Sequence, residues 1–104
     1  MEKQRLHLVL KKQWYDLIDS GIKKEEYREI KDYWNARFID GQIKIGGKLF
    51  KPSEIYITFQ LGYTNVHRIH FECTGLEITK GKLEWGAEKN NTYHVLKLGK
   101  RIWK

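Results

Sequence analysis

The stretch Gly21-Ile22-Lys23-Lys24-Glu25-Glu26-Tyr27-Arg28 is where residue types and spacing in this chain point most directly to chemistry. A glycine that permits a left-handed turn precedes a charged run read as an extended strand over 25–29. Side chains on a strand change sides at every residue, so Glu26 and Arg28 share one face while Glu25, Tyr27 and Glu29 take the other. The turn at Gly21 brings Lys23 back toward Glu26 and Arg28. Such a set grips a polar ligand: Arg28 offers a planar fork of donors, Lys23 a point charge, and Glu26 an acceptor for a base amine or a general base. A charge-rich strand edge is also an ordinary solvated face that discourages aggregation, and the pattern alone leaves both readings open.

The remaining candidates are aromatic, basic or sulfur-bearing. Tyr33 and Trp34 follow the charged run, and Tyr63 and Trp85 fall in loops, where exposed rings stack on unpaired bases. Trp14 and Trp34 lie on apolar helical stripes and are expected in the core. Arg37 shares the Trp34 stripe, its head within reach of a phosphate or of Glu26. His67, His70 and Cys73 recur every third residue, but on a strand His70 points away from the other two, so no metal site is expected. Cys73 alternates with Ile69 and Phe71 as a small buried hydrophobe does, and Ser20 reads as a helix-end residue.

The elements that must position these groups follow from periodicity. LHLVL over 6–10 predicts a strand; Trp14, Leu17 and Ile18 predict a helix over about 11–20, capped by Gly21. Ile30, Tyr33, Trp34, Arg37 and Phe38 predict a second helix over about 30–39, ending at Asp40-Gly41. QIKIGGKLFKPSE reads as a Gly-Gly hairpin or loop, EIYITFQ and VHRIHFECTGLEI as strands joined by the turn LGYTN, and TYHVLKL as a last strand before a basic tail, GKRIWK. The expectation is an α+β domain over 1–104: a small curled or closed β-barrel of about five to six mixed strands with two main helices. Closure removes exposed edges.

Composition narrows the partners. Twenty Lys and Arg against thirteen Asp and Glu leave a net charge of +7, which favours an anionic partner, of which nucleic acid is the commonest. One cysteine, no signal-peptide-like apolar stretch and no apolar run of membrane-spanning length predict a cytoplasmic protein without a membrane partner.

The spacing G-x-K-x-x-E-x-R, here Gly21, Lys23, Glu26 and Arg28, resembles the ASCH domain, a small barrel related in fold to the PUA RNA-binding domain. The flanks are similar too: HLVLKKQWYDLIDSG before the motif, Gly62-Tyr63 after a strand, Glu84-Trp85-Gly86, and a closing YHVLKLGK, so the resemblance covers nearly the whole chain. It implies a PUA-like fold and an RNA, nucleotide or nucleoside ligand in a cleft beside the motif. The ligand-binding residues would be Lys23, Glu26 and Arg28, with Tyr63, Trp85 and Arg37 alongside, and no cofactor. It also implies a hydrolase as the enzyme class if the domain is catalytic, with Lys23 and Glu26 as the catalytic pair. One branch hydrolyses N4-acetylcytidine with the motif lysine, a more distant glutamate and a threonine at the position Glu26 occupies here; another cleaves single-stranded RNA. The competing expectation is a non-catalytic protein-interaction module that uses the basic surface and the C-terminal segment.

Overall fold

A computed structural model describes residues 2–63 and 66–103, so Thr64 and Asn65 of the LGYTN turn and Lys104 of the closing segment lie outside the described residues. Among the described residues the fold is α+β, with two α-helices and eight strands in two sheets. Strand β1 (Gln4–Leu10) leads into helix α1 (Lys12–Asp19), then β2 (Glu25–Glu29), a one-turn helix α2 (Asp32–Asn35), β3 (Phe38–Ile39), β4 (Gln42–Ile45) and β5 (Lys48–Phe50). The long strands β6 (Ile55–Leu61), β7 (Arg68–Lys80) and β8 (Thr92–Ile102) complete it.

The main sheet has the order β1-β6-β7-β8-β2, with β1 parallel to β6 and the other pairs antiparallel, and it curls into a half-barrel. Alternation sets its inner face. Leu6, Leu8 and Leu10 of β1, Ile55, Ile57 and Phe59 of β6, and Ile69, Phe71 and Cys73 of β7 are buried against Tyr15 and Ile18 of α1, Phe38, Ile43 and Leu96. Burying each large side chain contributes about 1.5–3 kcal/mol. The expected strand over 25–29 and the Gly-Gly hairpin are both present, the latter joining β4 to β5 with Gly46 and Gly47 at φ 59° and 81° as a primed turn requires.

Two expectations are corrected. The second helix covers Asp32–Asn35 rather than 30–39, because Asp40 and Gly41 turn a hairpin, both at positive φ, instead of capping a helix. Phe38 pairs with Ile43 and Ile39 with Gln42, while the Arg37 carbonyl accepts from the Lys44 amide at 2.7 Å. The Asp-Gly dipeptide serves either purpose, and the β-branched residues that follow it decide for the hairpin. The segment GKRIWK is not a free tail, since β8 runs through Ile102, Arg101 lies opposite Phe71, and the Arg101 guanidinium donates to Asp19 Oδ1 at 2.7 Å. No described helix is long and apolar enough to cross a membrane.

Candidate functional site

Lys23 reaches the site through the end of α1. Gly21, at φ +84°, takes the left-handed position just beyond the helix: its amide donates to Ile18 O at 3.1 Å and the Ile22 amide to Leu17 O at 3.0 Å, the pair of bonds that defines a Schellman cap. The Lys23 amide also donates to Leu17 O at 3.0 Å, which turns its side chain inward. The Ser20 hydroxyl, donating to Leu17 O at 3.0 Å, is part of the same helix end.

The next residues enter β2, where Glu26 lies opposite Leu96 and Arg28 opposite His94 of β8. Lys23 is 3% exposed and Glu26 5%. Lys23 Nζ donates to Glu26 Oε1 at 2.7 Å, and Arg28 Nη2 donates to Glu26 Oε2 at 2.7 Å, so each carboxylate oxygen is held by a different cation. Each cation is flanked by rings. Lys23 Nζ lies 5.1 Å from the centre of the Trp14 ring and 5.4 Å from that of Tyr27, and the Arg28 guanidinium lies 5.0 Å from that of Trp34, which stacks on Phe38 at 5.5 Å. Arg28 Nε is buried with no hydrogen-bond partner among the described residues.

Two adjoining hollows open on either side of this carboxylate, sharing Lys11, Trp14, Glu26, Tyr27 and Glu29. The first, about 830 Å³, is completed by Lys23, Trp85, Tyr93 and the polar run Asn90, Asn91 and Thr92. The second, about 710 Å³, is completed by Arg28, Lys31, Tyr33 and Trp34. Their charges differ: the first has three carboxylates against two lysines, counting Glu88, and the second has three cations against two carboxylates.

The loop over 81–91 supplies the outer wall and packs tightly on the site. Gly86, at φ +104°, presents its backbone to the Trp14 ring: a Cβ there would lie 2.9 Å from Trp14 Cζ2. The Lys82 amide donates at 3.0 Å to the Tyr27 hydroxyl, which itself donates to Glu25 Oε1 at 2.8 Å. Burial pushes the Tyr27 phenol well above its usual range, so it stays protonated and keeps that donor.

Of the residues singled out from the sequence, Lys23, Glu26 and Arg28 converge and Trp85 lines the first hollow, where Lys82 Nζ lies 4.4 Å from its ring centre. Tyr63 is 96% exposed in the turn after β6 and lines neither hollow. Arg37 donates to Tyr33 O at 2.8 Å and stacks on the Tyr33 ring at 3.7 Å, and Arg28 rather than Arg37 pairs with Glu26. Trp14 is half-buried as a cleft wall instead of core, where its neighbour Tyr15 sits. Trp34 combines both roles, packing on the core with one part and lining the second hollow with another. Cys73 is buried, and desolvation pushes its thiol up, away from nucleophilic use. Among the described residues no three His, Cys, Asp or Glu side chains come together as a metal-binding group. Comparison with protein-family models, with curated proteins and with solved structures gives no match.

Proposed function

We propose that the cleft binds the base of a nucleotide, a nucleoside or single-stranded RNA, as the resemblance to ASCH domains of PUA-like fold implies. The observation that carries this reading is the buried Glu26 carboxylate, fixed at both oxygens by Lys23 and Arg28 and bordered by Trp14, Tyr27 and Trp34. Each carboxylate oxygen keeps a further lone pair beyond the one each cation uses, and these accept from the N–H edge of a heterocycle while the rings stack on its faces. Stability alone is a weaker account of the arrangement, because desolvating three charges costs about as much as their attraction returns and apolar residues of similar volume would serve as well. The cationic second hollow suits a phosphate, and Asn90, Asn91 and Thr92 suit sugar hydroxyls.

Hydrolysis through a covalent intermediate would need a side-chain nucleophile beside Lys23 and Glu26, whereas hydrolysis by water would need only the Glu26 carboxylate as base. Thr92, Tyr27 and Tyr93 are the hydroxyls on the wall of the first hollow, and among the described residues none of them is hydrogen-bonded to Lys23 or Glu26. A protein-interaction role for the C-terminal segment has less support, since residues 99–102 belong to β8.

Three tryptophans line the cleft, so their fluorescence reports occupancy. Titration with the common nucleosides, their monophosphates and short single-stranded RNA should give saturable quenching with at least one of them, weakened about tenfold or more in Glu26→Gln and in Trp85→Leu. Thermal melting checks that both variants are folded, and chromatography of the same samples reads any hydrolysis. The absence of saturable quenching by every ligand, or equal affinity in both variants, overturns the proposal.

A further inference from the structure

Lys23, Glu26 and Arg28 have a fixed order across the cleft, and each keeps bonding capacity that the fold leaves unused. Lys23 lines the first hollow and Arg28 the second, while Glu26 lies on the wall of both. From one hollow to the other, the groups therefore run donor, acceptor, donor.

Their spare capacity can be counted atom by atom. Among the described residues Lys23 Nζ makes one hydrogen bond, to Glu26 Oε1 at 2.7 Å, and an ammonium carries three N–H groups. Arg28 spends only Nη2 on its bonds, to Glu26 Oε2 at 2.7 Å and to Val9 O at 3.3 Å. Its Nη1 makes none among the described residues, and the side chain is 18% exposed on the wall of the second hollow. Each Glu26 oxygen accepts from one cation and retains a second lone pair. The two cations are no farther apart than two such bonds and the width of one carboxylate, a span that a single heterocycle edge covers. Trp14 and Tyr27 line both hollows and offer ring faces along the same span.

The pairing edges of the four bases answer this order differently. Uracil presents O2, N3–H and O4, an acceptor, a donor and an acceptor, and meets every group of the cluster with its complement. Cytosine and adenine place a ring-nitrogen lone pair at the centre, against the carboxylate. Guanine sets N1–H on the carboxylate and O6 on one cation, but then turns its amino group toward the other cation, donor against donor. A mismatch of this kind in a buried site leaves polar groups unpaired, which discriminates more strongly than a change of shape.

We propose that the cleft selects a uracil-type base, with Glu26 accepting from N3–H and Lys23 and Arg28 donating to the two flanking carbonyl oxygens. Thymine shares that edge. This inference rests on the reading of the cleft as a base-binding site and adds which base it holds.

The test is a tryptophan-fluorescence titration of the wild-type protein with the four ribonucleosides, their 5′-monophosphates and short homo-oligomers, together with 3-methyluridine and its monophosphate, in which a methyl group replaces the N3 hydrogen. In every series that binds, the uracil member should half-saturate at a concentration about tenfold or more below the other three, and the 3-methyl compound should lose about tenfold or more. In Glu26→Gln, whose amide offers a donor beside its acceptor, the preference over cytosine should shrink to about threefold or less. A wild-type preference below about threefold over any other base, or unchanged affinity for the 3-methyl compound, overturns the uracil assignment and leaves a base-binding cleft in place. Absence of saturable quenching by every ligand overturns the cleft reading, and this inference with it. Both of these outcomes are read on the wild type, so a variant that fails to fold does not blunt the test.

Discussion

The Arg28 guanidinium on β2 donates to the carbonyl oxygen of Val9 on β1 at 3.3 Å, joining the two edge strands of a sheet in which they do not pair with each other. The same Nη2 holds Glu26, so a single side chain both fixes the candidate site and ties the mouth of the half-barrel. Arg28→Lys keeps the charge but lacks the planar fork, and is expected to lower stability by about 1–2 kcal/mol in urea denaturation. Arg28→Met leaves Glu26 one cation short and should cost about 3 kcal/mol. Equal stability of Arg28→Lys and wild type would mean that the Val9 contact contributes nothing.

Lys23 and Glu26 are both buried, so removing the Glu26 charge strands Lys23, and removing Lys23 leaves Glu26 with Arg28 as its one cation in the cluster. Lys23→Met and Glu26→Gln singly should each destabilise by about 3 kcal/mol, whereas the double variant should lose much less than the sum. A double-mutant cycle by chemical denaturation measures the coupling, expected at about 2 kcal/mol. Additive losses would show that the short contact is not an energetic pair.

Gly21 and Gly86 both have positive φ but differ in their surroundings. A Cβ at Gly21 would meet nothing within 4 Å, so Gly21→Ala should cost only the conformational penalty, about 1 kcal/mol. At Gly86 the Cβ would press on Trp14, a rigid ring, and Gly86→Ala should cost about 2–3 kcal/mol and change the near-ultraviolet circular dichroism as Trp14 moves. If the two variants are equally stable, the loop over 81–91 does not hold the Trp14 wall.

His94 gives the fold an acid-side weakness. It is buried beside Phe38, with Nε2 2.7 Å from Asn35 Oδ1, and desolvation lowers its pKa below the ordinary value of 6.5. The unfolded chain therefore binds the proton more readily than the folded one. The stability that neutral His94 supports is complete above about pH 6.5 and declines as pH falls from there through the lowered folded value. Urea midpoints should drop as pH falls below about 6.5, and His94→Gln should flatten that part of the profile. An unchanged slope in the variant would assign the pH dependence to other groups.

The trio Lys23, Glu26 and Arg28 was legible in the sequence because its geometry is local: a glycine cap and a two-residue alternation suffice to bring the charges together. The walls were not. Trp14 meets Gly86 across most of the chain, and only packing of the loop over 81–91 shows that its stripe faces a cleft. Tyr27 sat on the supposed other face of β2, yet its ring flanks Lys23 because Lys23 arrives from a turn and not along the strand. The shortened second helix has a similar origin, since Trp34 and Phe38 stack at helical spacing even though the helix ends at Asn35.

Among the described residues, strand β2 joins the main sheet only through β8, and β1 only through β6. During synthesis, residues 25–29 therefore have no hydrogen-bonding partner until residues 92–102 have left the ribosome, and the Lys23–Glu26–Arg28 cluster waits with them. Such long-range pairing makes folding slow and late for its length, and leaves three charges in water until the moment they are buried together. The order of events spares the nascent chain from burying any one of those charges alone.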